Sequence, residues 1–255
     1  MINNASYRVS PSLMDSFHNY VNADTIWEQY WGQSDNPSKT LDEFRKESFE
    51  SFINHCNKVS TVSEAASKGT AFNDIVDCLV HGTKPPFPVE RIKDGDVEKY
   101  RCELDGFAFD FDVALCVRFA KMYDGALSQA YVEAPINTSY GIVELHGYID
   151  ELMPIKVCDI KTTGSYYFGK FRDHAQHLVY PYCLTCDGCN ITRFDYDIVE
   201  IPRSGPYKVY QETYMYDHER DSKRIKEWLE DMIYVMENNK HLINNPRLFA
   251  LDYED

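Results

Sequence analysis

The sequence predicts an α/β protein: a central mixed sheet flanked by helices, with extra helices at the N-terminal end. Three observations lead there. Residues 142–149, 155–162, 190–201 and 207–216 are short runs rich in β-branched, aromatic and other apolar residues, as strands are. Residues 41–57, 63–80 and 217–238 repeat their apolar residues at helical spacing instead. Hydrophobic residues make up 44% of the chain and aromatics 14%, enough for a substantial core and too many for a disordered chain. A length of 255 residues suits one domain. It is read as a helical extension over 1–62, a core over 63–216, and a helix with its tail over 217–255.

Residues 9–20 open with Ser10-Pro11-Ser12, a capping serine before a proline at the first helical position, and predict a helix. Residues 22–40 are polar, with Trp27, Trp31 and a turn at Asp35-Asn36-Pro37. Residues 41–57 place Leu41, Phe44, Phe49 and Phe52 on a packing face. In the helix over 63–80, Asn73 and Asp77 share a face one turn apart, while Ala71, Ile75 and Leu79 turn elsewhere. Gly69 within it costs ~1 kcal/mol against alanine, so it is expected to serve a close approach or the first turn. Residues 83–90 are a proline-rich connection, and 98–112 form a hairpin turning at Asp105-Gly106. A helix over 113–123 and a strand over 128–136 lead into the strand at 142–149. The helix over 168–185 contains Pro181, which is expected to kink or end it. Strands 190–201 and 207–216 pair across 202–206. The helix over 217–238 buries Ile225, Trp228, Leu229, Ile233 and Met236.

The chemistry concentrates between Glu144 and Tyr182. Alternation along the first strand puts Glu144, His146, Tyr148 and Asp150 on one face, with Val143, Leu145 and Ile149 opposite. Asp159 and Lys161 share a face of the second, and residues 151–156, with Pro154, suit an antiparallel turn. That turn brings Asp150 and Asp159 towards each other. Two facing carboxylates repel unless a cation lies between them, and oxygen ligands favour a hard ion such as Mg²⁺ or Mn²⁺. Lys161 beside them is suited to position a water and offset charge on a phosphoryl transition state. Gln176 and Tyr180, one helical turn apart, are placed to fix the lysine or to touch a phosphate. Glu144 is six residues from Asp150, roughly 20 Å along a strand, too far to share its ion.

Gly147-x-x-Asp150, Asp159-Ile160-Lys161-Thr162 and Gln176-x-x-x-Tyr180, in that order, resemble motifs of the PD-(D/E)XK nuclease superfamily, nearest to its RecB-like and phage exonuclease branch. The resemblance covers roughly residues 8–200. It implies a restriction-endonuclease-like core and a Mg²⁺- or Mn²⁺-dependent DNA nuclease, with exonuclease action favoured. It implies catalytic roles for Asp150, Asp159, Lys161, Gln176 and Tyr180, and metal ligation by Asp150, Asp159 and the Ile160 carbonyl. Where the family pattern has a histidine after Gly-x-x-Phe, this chain has Asn73, so Asn73 or Asp77 completes the shell. Thr162, Lys170 and Arg172 are the candidate substrate contacts. Some relatives carry an iron–sulfur cluster, but here Cys183, Cys186 and Cys189 lack a fourth cysteine, Tyr20 and Val21 standing where one would be; no cluster is expected.

The formal net charge of −15 runs against a nucleic-acid partner, since phosphate backbones favour basic surfaces. Acidic residues gather in the 40s, the 90s and 210–232, and at Asp252, Glu254 and Asp255. Lys156, Lys161, Lys170, Arg172, Arg203 and Lys208 are the basic residues near the site. For the DNA substrate that the resemblance implies, weak unaided binding is therefore expected, helped by divalent cations or a protein partner. The alternative is a nuclease-like binding or assembly module without activity. No apolar run reaches the ~18 residues of a membrane span, and the first residues do not read as a secretory signal. Eight cysteines then predict reduced thiols and a cytoplasmic setting, the host's if the chain is viral.

Overall fold

A computed structural model describes residues 5–60, 62–202 and 205–250. Arg203 and the acidic residues Asp252, Glu254 and Asp255 lie outside the described residues. The chain begins with strand β1 (Tyr7–Val9) and three helices, α1 (Pro11–Val21), α2 (Ala23–Tyr30) and α3 (Leu41–Cys56). Helix α4 (Glu64–His81) precedes a meander of β2 (Val89–Asp94), β3 (Val97–Leu104) and β4 (Phe107–Asp112). Then come α5 (Val113–Met122), β5 (Leu127–Thr138), β6 (Gly141–Met153), β7 (Lys156–Thr163), α6 (Gln176–Cys186), β8 (Arg193–Glu200), β9 (Lys208–Met215) and α7 (His218–Asn238).

Six strands make a mixed central sheet in the order β1-β6-β7-β8-β9, with β5 also on β6. Strand β6 is its spine. Antiparallel β5 pairs along nearly its whole length, from Thr138↔Gly141 to Leu127↔Leu152. The other edge is shared: β1 runs parallel at residues 143–145, and β7 runs antiparallel at residues 151–153. Between them, residues 146–150 have no strand partner on that edge. Beyond its short pairing with β6, β7 turns to a parallel ladder with β8, from Lys156↔Arg193 to Thr163↔Glu200.

Each face of this sheet carries its own core. Helices α1, α3, α6 and α7 cover one face, with Phe17, Phe52, Leu145, Ile149, Val157, Tyr196, Leu229 and Ile233 buried. The other face meets α4, α5 and the β2–β4 sheet through Phe72, Ile75, Phe111, Phe119, Cys158, Ile160 and Val199. Strand β8 is buried on both faces, and its two aspartates are satisfied internally. Asp195 is bonded by Lys156, Arg193 and Thr213, and Asp197 by Tyr123 and Gln211.

Local signals explain most boundaries. Ser10, Ser63 and Asp217 cap α1, α4 and α7 with their side chains, and Thr40 with Glu43 forms a capping box on α3. Asp105 and Gly106 both have positive φ, as the two-residue hairpin turn requires. Other elements differ from the sequence reading. Residues 23–30 are helical and 89–94 are a strand, because both pack against neighbours (α3 and β3) despite polar composition. Phe44 is only partly buried, against Trp31. The first 62 residues are not a mere extension, since β1 enters the central sheet and α1 the first core. Helix α6 starts at Gln176 instead of 168 and runs past Pro181; every residue from His177 to Leu184 is buried, and packing outweighs the proline. No helix among the described residues is long and apolar enough to cross a membrane.

Because α1 rests on the sheet through the parallel β1, its cap is expected to report on the whole first core. Ser10→Ala should lower unfolding free energy by ~1 kcal/mol in urea denaturation. No change would detach the cap from the stability of that core.

Candidate active site

The site lies where β6 and β7 part. Their pairing ends at Glu151↔Cys158, so Asp150 and Asp159 face the opening. One carboxylate oxygen of Asp150 accepts the Ile160 amide at 3.2 Å, taking a backbone donor at the point where β7 leaves β6. The same oxygen accepts Asn73 Nδ2 from α4 at 3.4 Å. Asp159 Oδ1 accepts Gln176 Nε2, and Gln176 Oε1 accepts Lys161 Nζ at 2.7 Å. Lys161 Nζ lies 2.8 Å from Asp159 Oδ2 and closes the ring. That last contact is an ion pair, and Oδ2, though buried, makes no hydrogen bond.

Electrostatics follow from this crowding. Burial, then the neighbouring Asp159, pushes the Asp150 carboxyl up to about 7, only partly offset by Lys161 and the Ile160 amide. Burial opposes the charge on Lys161, but Asp159 and Asp150 outweigh it and hold the ammonium above its usual range. A lysine so held stays protonated at neutral pH.

The strand alternation of the sequence reading holds through Ile149 and changes phase at Asp150. Ile149 packs in the first core, yet Glu151 lies opposite Cys158 of the second. Gln129, the residue across from Asp150, has φ +53°, and the 129–150 pair is missing from an otherwise continuous ladder. Glu151 consequently turns towards α4, where it meets Asp77; Ser128 donates to its other oxygen at 2.8 Å. Burial pushes Glu151 up to about 8, and burial also raises Asp77. Burial and the closeness of the two carboxyls both disfavour their charged forms.

Helix α6 is placed by two contacts that sequence reasoning did not find. Asp15 of α1 accepts the Ala175 amide at 2.6 Å, supplying from another helix the cap that Ala175 lacks. Tyr180 is buried beneath Gln176, its ring against Gly147; a Cβ there would come within 2.7 Å of the ring. The glycine of Gly-x-x-Asp is thus a seat for the tyrosine. An acidic residue after the Ser-Pro-Ser start was the available signal for Asp15, but nothing local ties it to residue 175.

The structure brings together Asp150, Asp159, Lys161, Gln176, Tyr180 and Asn73. It separates others. Asp77 engages Glu151 and Gln129 rather than Asp150 or Asp159, although its charge still reaches Asp150 and helps to raise that carboxyl. Thr162 points to the opposite face from Lys161, towards Gly69 of α4, whose close approach explains that glycine. Lys170 Nζ spends its bonds on Thr163 Oγ1 and the Ser165 carbonyl, bracing the loop before α6. Arg172 lines a groove with Arg220 and Arg224 instead of the opening. The Ile160 side chain is in the second core, and its backbone amide donates to Asp150. Cys183 is buried in α6, while Cys186 and Cys189 are exposed free thiols.

Among the described residues no three His, Cys, Asp or Glu side chains form a metal-binding group. The oxygens at the opening nonetheless suit a hard cation. Asn73 Oδ1 is buried without a hydrogen-bond partner, Asp159 Oδ2 meets only the Lys161 ammonium, and burial with the neighbouring Asp159 destabilises Asp150 as an anion. Asp150, Asp159 and the Asn73 oxygen would hold it.

No family model matches the sequence, and no curated protein matches it. Among solved structures, the crystal structure of a protein called SSO0001 is similar over 48% of this chain and 57% of that one, at 16% identity and a TM-score of 0.34. The shared region thus spans little more than half of that protein. A likeness of this size transfers neither fold nor activity.

Two outcomes test this geometry. Gly147→Ala should destabilise the protein by roughly 1–3 kcal/mol, because the added methyl must displace the Tyr180 ring in a packed core; denaturation at neutral pH measures it. Asp150 also sets a pH dependence. Below about pH 4 its carboxyl is protonated folded and unfolded alike. Between there and about 7 only the folded chain keeps the proton, so metal-free stability falls as pH rises, and the loss is constant above. Glu151 acts in the same direction. Asp150→Asn should therefore shrink the stability difference between pH 5 and pH 8 in EDTA by on the order of 3 kcal/mol. An unchanged difference would show that this carboxyl is solvated and close to its ordinary range.

Proposed function

We propose that this chain is a divalent-metal-dependent DNA nuclease on a restriction-endonuclease-like core, with exonuclease action the mode favoured by the PD-(D/E)XK resemblance. The observation that carries the reading is the Asp159–Lys161–Gln176 ring beside Asp150, at the opening between two diverging strands. An ordinary surface ion pair would not spend a buried carboxylate, a second buried carboxyl and a helix N-terminal glutamine on one lysine.

The chain's own residues divide the work. When bound, Mg²⁺ or Mn²⁺ supplies a Lewis acid and a water of lowered pKa. Asp150 and Asp159 hold it, and Asn73, which donates to Asp150, orients that carboxylate. Lys161 acts as a donor to a water or a phosphate oxygen, because its neighbours keep it charged; it does not serve as the base. Gln176 accepts from Lys161 and donates to Asp159, so it fixes both at once, and Tyr180 beneath it prevents retreat into the core. Asp15 and Gly147 are positioning residues that act through α6.

A second reading, an inactive nuclease-like binding or assembly module, draws on a specific observation. Only two carboxylates meet at the opening, since Asp77 has turned to Glu151 and a histidine ligand is replaced by Asn73. Cleavage decides between them. With end-labelled linear and closed circular DNA, Mg²⁺ or Mn²⁺ should support cleavage and EDTA abolish it. Lys161→Ala should slow cleavage by ~10²–10³-fold, the loss of one transition-state donor, while leaving metal affinity in place. Inertness of the wild type on every nucleic acid, with metal bound, would sink the nuclease reading in favour of the module.

A further inference from the structure

We propose that a cavity at the other end of the open β6 edge is a binding site for a phosphate monoester, separate from the Asp150–Asp159 opening. The cavity has a volume of about 310 Å³ and lies between β1, α1, α3 and the C-terminal segment. Arg8, Lys58, Arg247, Ser10, Ser12 and His146 contribute its polar lining, and no carboxylate is among the described residues that line it. In a chain with 41 acidic residues against 26 basic ones, a cavity of this kind is not the default of composition.

Its cations are placed by structure. Asn57, at the end of α3, donates to the Leu242 carbonyl and accepts the Asn244 amide, and Asn245 donates to the Cys56 carbonyl. These bonds lock the turn carrying Lys58 to the segment carrying Arg247. Lys58 itself has φ +54°, a left-handed conformation at the helix end. Among the described residues neither Lys58 nor Arg247 has an ion-pair partner, whereas most other Lys and Arg side chains have one. Arg8 bonds Glu144 through Nε and Tyr131 through one terminal nitrogen, which leaves further guanidinium donors. His146 Nδ1 is buried without a hydrogen-bond partner, and burial, then the nearby Arg8, disfavours its protonation, with Lys58 adding to the effect.

These features match one ligand chemistry. Arg8 is neutralised by Glu144, so Lys58 and Arg247 leave two positive charges uncompensated, equal to the charge of a phosphate monoester dianion. The serine hydroxyls and the guanidinium supply hydrogen bonds to its oxygens. A volume at the small end of ligand pockets fits a phosphate with little attached. The ligand is either a free phosphomonoester or the terminal phosphate of a nucleic acid. His146 lies four residues from Asp150, roughly 13 Å along β6, so the two sites are distinct.

The test does not depend on the nuclease reading, because it is run in EDTA without cleavage. Inorganic phosphate, and oligonucleotides ending in a phosphate at either end or in hydroxyls only, are titrated into wild type and into Lys58→Ala/Arg247→Ala. Both side chains are exposed and unpaired, so this variant should fold. Inorganic phosphate should bind the wild type saturably and the variant at least tenfold more weakly. If nucleic-acid ends are the source, a terminal phosphate should tighten oligonucleotide binding at least tenfold, and the variant should lose that gain. If the terminal phosphate adds nothing while inorganic phosphate still binds in a Lys58- and Arg247-dependent way, the source is a free phosphomonoester. Absence of saturable phosphate binding, or equal binding by the variant, would overturn the proposal.

Discussion

A single carboxylate at the fork of two strands holds this arrangement together. Asp150 accepts the Ile160 amide where β7 leaves β6, and so stabilises an opening that would otherwise leave a backbone donor unpaired. The divergence has a topological cause. The free edge of β6 is shared between parallel β1 and antiparallel β7, and neither covers residues 146–150. Everything at the opening then follows from what the neighbouring helices insert. Helix α4 contributes Asn73 to one side of Asp150, and α6 contributes Gln176 to the Asp159–Lys161 pair.

The electrostatic balance of the molecule supports a local rather than a general attraction for phosphate. Many of its Lys and Arg side chains are spent in ion pairs with its own carboxylates, such as Arg45 with Asp24, Arg101 with Asp110 and Arg220 with Asp221. Exposed pairs of this kind add little stability, but they remove charge from the surface. Under the function proposed above, affinity for a polyanion would have to come from the few exceptions and from cations held at the Asp150–Asp159 opening.

Much of this was legible in the sequence because it is local. The period of the strands, the caps at Ser10, Ser63 and Asp217, and the order of Asp150, Asp159, Lys161, Gln176 and Tyr180 depend on near neighbours. What escaped depends on distant partners. Asp77 and Asn73 share a helical face, yet a phase change at Asp150, opposite the left-handed Gln129, turns Glu151 towards Asp77 and engages that carboxyl away from Asp159. Thr162 follows Lys161 in sequence and therefore lies on the other face of β7. Asp15 reaches Ala175 across 160 positions, a contact no spacing announces. Residues 168–175 continue into α6 without a local stop signal, yet Lys170 and Glu212 brace them as a loop, so the helix begins only at Gln176.

The proposed function rests on a divalent ion at the opening between β6 and β7. Anomalous diffraction from crystals soaked in Mn²⁺ would locate the ion directly. One strong peak is expected within ~2.0–2.3 Å of oxygens from both Asp150 and Asp159, with Lys161 outside the coordination shell. A peak confined to Asp77 and Glu151, or none at the opening at saturating Mn²⁺, would contradict it.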